Sequence, residues 1–274
     1  MTIRADLHVH SKVCKDSTFS HRHFESTVER ARHMGLSGFA LTEHMHAPGY
    51  WNTLNELVRR YGYHDGHFAL ADGFNVLTGA ELTVAERADV ILIGGIDQLR
   101  LFDRSFLPMP SQSYLPRLNE VFGPAREAGL VMIAAHPTRQ GKSTVEAGRR
   151  HLGRFDALEV NGKDVALHRV EPEIRRLAAH FNLPVVGGSD AHVWPQVGVQ
   201  STILALGELT QQGLRQCLAQ REASKETAPG IDSLVRISKA HKSIVKRRLS
   251  AVGSRRPAAA QSGRGRLIGA PAPA

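Results

Sequence analysis

Asp6-Leu7-His8-Val9-His10-Ser11 and Gly188-Ser189-Asp190-Ala191-His192 decide the architecture of this chain. Each follows a short apolar run and ends on polar residues spaced two apart. Side chains at i and i+2 of a strand point to one side, so His8 and His10 can share a metal ion, and Asp190 and His192 form a second such pair. The same design recurs along the chain. Strand-like runs at Ile3–His8, Ser37–Thr42, Phe74–Gly79 and Val131–Ala135 lead into His8 and His10, Glu43-His44, Glu81, and His136. Val90–Ile93, Ala157–Val160, Val185–Gly188 and Thr202–Leu206 complete the set. Helical patterns lie between them at Phe24–Met34, Leu54–Tyr61, Tyr114–Ala128, Lys163–His180 and Leu209–Arg221. Alternating strand and helix predicts an α/β fold with a parallel sheet closed as a barrel. In such a barrel the C-terminal strand ends open on one face. His8, His10, His44, His136 and His192 then converge there with Glu81 and Asp190, a cluster that is costly to bury without cations.

The chain has 274 residues, 42% hydrophobic and 22% charged, which excludes a wholly disordered or fibrous protein. No apolar run approaches the ~18–20 residues of a membrane span. The N-terminus shows no apolar signal-peptide core, and Cys14 and Cys217 lie far apart. These features predict a cytoplasmic protein with reduced thiols, Cys14 being structural or incidental. The net charge of +9 is unevenly spread. Beyond residue 225, ten Lys and Arg face two acidic residues, giving +8; residues 1–225 hold 25 basic and 24 acidic residues, giving +1. The expected division is a hydrolase barrel over 1–225 and a basic, low-complexity tail over 226–274. Ser233–Val252 can form a short basic helix, and disorder is expected from Gly253 onward. The tail is either a solvated end or an anion- and nucleic-acid-binding segment. The charge split predicts that the chemistry does not need it. Two further stretches, Met45–Asp72 and Asp97–Ser113, read as long functional loops.

Asp-Leu-His-Val-His-Ser at 6–11, Cys-Lys-Asp-Ser at 14–17, Leu-Thr-Glu-His at 41–44, Gly-Ala-Glu at 79–81, Ala-His-Pro at 135–137, Glu-Val-Asn-Gly at 159–162 and Gly-Ser-Asp-Ala-His at 188–192 resemble, in order, the PHP (polymerase and histidinol phosphatase) family. The resemblance implies a distorted (β/α)7 barrel holding two or three divalent ions, Mn, Fe or Zn, and cleaving phosphoesters. It implies that His8, His10, Glu81 and Asp190 hold one ion, that Glu81 bridges to a second with His136, and that Asp16, His44 and His192 hold a third. The family's histidine after the Glu81 strand is missing here. Asp89 is the candidate in its place; otherwise it is an ordinary strand-start aspartate. His46, two residues past His44, competes for a ligand role. Asp6 and Glu43 are expected to orient neighbouring ligands.

Imidazole and carboxylate ligands suit Zn, Mn or Fe(II). Such ions activate a water, so no Ser or Cys nucleophile is required. Asp190 or His192 can take or return the proton. Arg139 and Lys142, just past His136, can grip a substrate phosphate, Arg139 through its planar fork. Lys12, Lys15 and Arg104 are further cations for that task. The near-neutral barrel favours a small phosphorylated metabolite over nucleic acid, whose groove is usually basic. The competing readings are a nuclease supported by the basic tail, a metal-dependent C–N hydrolase, and a non-catalytic metal scaffold. The intact Asp190 and His192 argue against the scaffold.

Overall fold

The computed structural model of the chain describes residues 1–106, 114–168 and 170–253. One ten-stranded sheet contains β1 (Ile3–Val9), β2 (Gly38–Leu41), β3 (His67–Ala69), β4 (Asn75–Thr83), β5 (Asp89–Ile93), β6 (Val131–Ala134), β7 (Ala157–Asn161), β8 (Val185–Gly188), β9 (Gln200–Leu204) and β10 (Ala223–Thr227). The strand order is β10-β9-β1-β2-β4-β5-β6-β7-β8, with β3 paired to β4. Beyond β8, Ala191 bridges in parallel to Val9 of β1. The Gly187 amide of β8 donates to the Thr202 hydroxyl of β9 (2.9 Å). The sheet thereby curls into the nearly closed barrel that the sequence predicts.

Helices α1 (His21–His33), α2 (Tyr50–Tyr61), α3 (Ile96–Arg104), α4 (Leu118–Glu127), α5 (Thr144–Gly148), α6 (Gly162–His168), α7 (Glu171–Phe181), α8 (Gln211–Gln220) and α9 (Ile231–Gly253) accompany it. Strand side chains alternate with period two, as pleating requires. Phe39, Leu41, Val76 and Leu92 pack in one apolar layer with Phe24, Leu54, Phe122 and Leu177 of the helices. Ala40, Leu77, Ile91 and Ile133 belong to the other layer, with Leu214, Cys217 and Leu218 of α8.

The sheet is not wholly parallel. β1–β2, β2–β4, β6–β7 and β7–β8 are parallel, but β5 runs antiparallel to both β4 and β6. Only Val84–Ala88 separate β4 from β5, too few residues for a crossover but enough for a hairpin. As a result the start of β5 shares the rim with the ends of its neighbours, and Thr83 pairs with Asp89. The helix expected over Lys163–His180 is two, α6 and α7. Pro172, which has no N–H to donate, sits in the first turn of α7. The expected loop at 97–113 opens as α3; residues 107–113 lie outside the described residues.

The expected boundary at 225/226 falls inside β10, which pairs antiparallel with β9 through Thr227. The basic helix expected at Ser233–Val252 is α9. It packs against α6 and the Trp194–Gln196 turn, burying Val235 and Ser238. Residues 254–274, where disorder was expected, lie outside the described residues.

Candidate metal centre

β1 and the residue just past it deliver His8 and His10, both buried, with Nε2 atoms 3.2 Å apart. Glu81 of β4 lies against them because the His44 segment bridges to it and the Glu81 amide donates to the Glu43 carbonyl (3.0 Å). Glu81 Oε1 is 3.6 Å from His8 Nε2 and 3.1 Å from His136 Nε2. Its Oε2 is 3.6 Å from His10 Nε2 and 2.7 Å from His44 Nδ1. Asp190 Oδ1 lies 3.5 Å from His10 Nε2 and 3.9 Å from His8 Nε2. Asp89 Oδ2 is 3.6 Å from His136 Nε2. The His192 ring is 4.0 Å from that of His10 and 5.7 Å from that of His44. Three groups have ligand atoms within 4.8 Å of one another: His10–His44–His192, His8–His10–Glu81 and Glu81–Asp89–His136. Shared His10 and Glu81 fuse them into one cluster.

The donor set fits divalent ions. His10 Nδ1, His44 Nδ1, His136 Nδ1 and Glu81 Oε2 are buried without a hydrogen-bond partner. His44 Nδ1 and Glu81 Oε2 are close but not aligned for a hydrogen bond. Buried polar atoms are ordinarily paired; the unpartnered His44 Nδ1 and Glu81 Oε2, with the Nε2 atoms of His8, His10 and His136 at 3.1–3.6 Å from the same carboxylate, match Zn, Mn or Fe(II) ligation. The electrostatics agree. Burial opposes charge on His8, yet Glu159, Glu81 and Asp190 lift it to about 10, so the pocket holds positive charge strongly. Burial also works against ionised Glu81, but His44, His136 and His8 keep it well below the usual carboxylate range. Arg139, His10 and His8 outweigh burial and do the same for Asp190. Burial, with His10 and Lys242 nearby, pushes His192 well below the ordinary histidine value, leaving a neutral imidazole.

A supporting layer fixes these side chains. Glu159 Oε1 lies 2.8 Å from His8 Nδ1, and its Oε2 accepts the His136 amide (2.7 Å). This carboxylate–histidine pairing orients a ligand ring. It needs Gly188, where a Cβ would stand 2.3 Å from Glu159 Oε1 and 2.6 Å from His8 Cβ. Glu43 accepts the Ser11, Lys12 and His44 amides and lies 3.5 Å from His10 Nδ1. Asp6 accepts the amides of His8, Ser189 and Gly198, tying β1 to the Asp190 loop. Burial raises Asp6 to about 6. Asp6 and Glu43 thus lie beside the ligands they were expected to orient, Asp6 through backbone amides. His136 (φ 31°) and Asp190 (φ 54°) both adopt the left-handed region, at roughly 1–3 kcal/mol each.

Of the expected site residues, His8, His10, His44, Glu81, Asp89, His136, Asp190 and His192 are together. Asp16 is not: it is exposed and lines a 440 Å³ cleft with Lys12, Thr18 and Asn52. Its loop carries the side chain outward after Lys12, whose Nζ is buried on the Lys15 and Pro48 carbonyls (2.7 and 2.9 Å). His46 is in none of the three groups and meets the Thr83 carbonyl (3.3 Å). Arg139 departs most from expectation. Its Nε donates to Asp164 (2.9 Å), Nη1 to Asp190 Oδ2 (2.9 Å) and Nη2 to Asn161 (3.0 Å). In this structure the fork is engaged with the chain's own Asp164, Asp190 and Asn161. Lys142 likewise pairs with Asp89 (2.5 Å). Glu159, Asn161 and Asp164 carried no individual role in the sequence reading. The first two alternate at the end of β7 with the same i, i+2 spacing that marks His8 and His10.

The PHP domain model matches residues 6–181, and a PHP-associated model matches residues 172–222. The chain belongs to the PHP domain family. PHP membership makes it a metal-dependent hydrolase, and the cluster supplies the ligand types that class requires. Among solved structures it is similar to PsfC from Pseudomonas syringae, with TM-score 0.74, 24% identity, and 89% of this chain and 99% of that one covered. It is also similar to the lesion-specific endonuclease PfuEndoQ from Pyrococcus furiosus (TM-score 0.63, 20% identity, 80% and 56% covered). A two-domain Bacteroides vulgatus protein containing a predicted PHP-like metal-dependent phosphoesterase matches at TM-score 0.54 and 21% identity, with 83% and 65% covered. These likenesses show a shared fold. No curated protein sequence matches significantly. Among the described residues, no helix is long and apolar enough to cross a membrane.

Proposed function

We propose that this PHP protein hydrolyses a phosphoester in a small phosphorylated metabolite, using two or three divalent ions (Mn, Fe or Zn) held by the cluster. The observation that carries the reading is Glu81, one buried carboxylate within reach of His8, His10, His44 and His136. A carboxylate so surrounded suits the bridge between ions. His8, His10, Glu81 and Asp190 would hold one ion, Glu81, Asp89 and His136 a second, and His44 and His192 a third, without Asp16. Bound ions of this kind polarise phosphoryl oxygens and lower the pKa of a water to about 7.

The chain's own residues do the rest. Glu159 and Glu43 orient the rings of His8 and His10. Arg139 holds Asp190 ionised and aimed at them. In the two-ion form of this reading neutral His192, with Nδ1 near the Asp190 carbonyl (3.2 Å), is left to take the proton, and ionised Asp190 serves as a ligand. The free thiols of Cys14 and Cys217 support a cytoplasmic setting.

The charge of the C-terminal segment favours one second reading, a phosphoesterase acting on nucleic acid. Two assays separate them. The first is phosphate release from a metabolite library with Mn, Fe or Zn supplied; the second is a salt-dependent gel shift with duplex and single-stranded DNA. Turnover of a small phosphomonoester without a shift supports the first reading. A salt-sensitive shift with DNA cleavage, and no release from small substrates, supports the second.

A further inference from the structure

α9 lies outside both family models, which end at residues 222 and 181. Its inner stripe, Leu234, Val235, Ser238, His241, Lys242 and Val245, is buried or half-buried at helical spacing. That stripe packs on α6 and the Trp194–Gln196 turn, the segments that directly follow β7 and the Asp190–His192 pair. The His241 ring stands edge-on to Trp194, 5.9 Å between centroids. The next residue, Lys242, is half-buried on this inner face and lies within electrostatic range of Asp190, His192 and Lys163. Lys163, on α6, reaches Asp190 Oδ2 at 3.9 Å.

Charge near Asp190 is out of balance. Arg139 already engages both Asp164 and Asp190. Lys163 and Lys242 therefore crowd onto a carboxylate that has a closer cation, and each opposes the other's charge. Among the described residues Lys242 makes no ion pair, and Lys163 has only Asp190, which Arg139 engages more closely. A terminal phosphate dianion, with three acceptor oxygens, satisfies both.

We propose that Lys242 of the C-terminal helix, together with Lys163, binds the terminal phosphate of the substrate and so selects phosphomonoesters. This deepens the phosphoesterase reading and rests on it for the reaction, though not for anion binding. It also reverses the expectation that the C-terminal segment is dispensable.

The test uses the full metal-loaded chain and inorganic phosphate as the probe, by titration calorimetry, beside hydrolysis of p-nitrophenyl phosphate and bis(p-nitrophenyl) phosphate. Lys242→Met keeps the packing stem and removes the charge; Lys242→Arg keeps the charge. Lys242→Met should weaken phosphate binding roughly tenfold or more, the scale of one charge-assisted hydrogen bond. It should lower the monoester-to-diester ratio of kcat/KM by a similar factor, with metal content and Tm unchanged. Lys242→Arg should recover most of both. Unaltered phosphate binding in a folded Lys242→Met protein overturns the proposal, as does a wild-type protein that binds no phosphate at millimolar concentration. Lys242-dependent phosphate binding without hydrolysis of any phosphoester would instead keep this site and remove the phosphoesterase reading.

Discussion

Replacing Arg139 by alanine separates two roles for one guanidinium. In the structure its side chain is 15% exposed and bonded to Asp164, Asp190 and Asn161. The two carboxylates are themselves 5% and 6% exposed. Deleting one partner of a buried ion pair costs roughly 3–5 kcal/mol, because the other charge is left unpaired. At about 2–4 °C per kcal/mol for a chain of this size, the metal-free Tm should fall by roughly 6–20 °C. Arg139 also keeps Asp190 ionised, so its loss lets protons compete with metal for that carboxylate. Removing such an orienting partner typically costs 10- to 100-fold in metal affinity. Arg139→Lys should restore only part, since one ammonium cannot reach Asp164, Asp190 and Asn161 together. The assays are thermal unfolding after chelation and metal content after dialysis against a defined free-metal buffer. An Arg139→Ala protein with wild-type Tm and metal content but a raised KM would refute this reasoning. It would return Arg139 to substrate binding.

Glu159→Gln removes the charge beside His8 Nδ1 while keeping the shape, and should lower metal affinity about 10- to 100-fold; unchanged affinity by competition with a chelating dye would contradict the orienting role. Asp16→Ala should leave metal stoichiometry as in the wild type, measured by elemental analysis, and the loss of one equivalent would return Asp16 to the ligand set. Phosphate affinity should carry a step near pH 8. Burial, Lys163 and Lys246 lower Lys242 to about 8 against the pull of Asp190 and Cys14. The ammonium is present below that pH and lost as pH rises through it, so binding weakens upward through pH 8. In Lys242→Arg the step should vanish, because an arginine stays charged to beyond about 12. Titrations of both proteins across pH 7–9 check this, and superimposable profiles would count against it.

The ligands on β1 and after β8 were legible because a period of two is written in the chain: His8 and His10, Asp190 and His192. Glu159 and Asn161 carry the same mark at the end of β7 and could have been read the same way. Asp89 could be singled out but not placed. Its position depends on β5 reversing direction, and the short link Val84–Ala88 was the available signal. Pro172 likewise announced the break between α6 and α7. Asp16 failed to join the cluster because loop spacing, unlike strand spacing, does not fix where a side chain points. Arg139 was placed correctly on the rim, but its partners Asp164 and Asn161 come from another strand–helix junction that local sequence cannot bring near. Lys242 was the least legible. Its charge made it one of many tail cations, and only the packing of α9 on α6 and Trp194 brings it within electrostatic range of Asp190.

A multi-ion centre that Glu81 would bridge is proposed to cleave phosphoesters. Its most direct test is one experiment on one preparation: elemental analysis of the full chain, expressed with metal supplied and purified without chelator, paired with p-nitrophenyl phosphate turnover before and after chelation. Two to three ions per chain are predicted, with turnover abolished by the chelator and restored on adding back Mn, Fe or Zn. Fewer than one ion per chain, or turnover that survives complete removal of metal, would contradict the account.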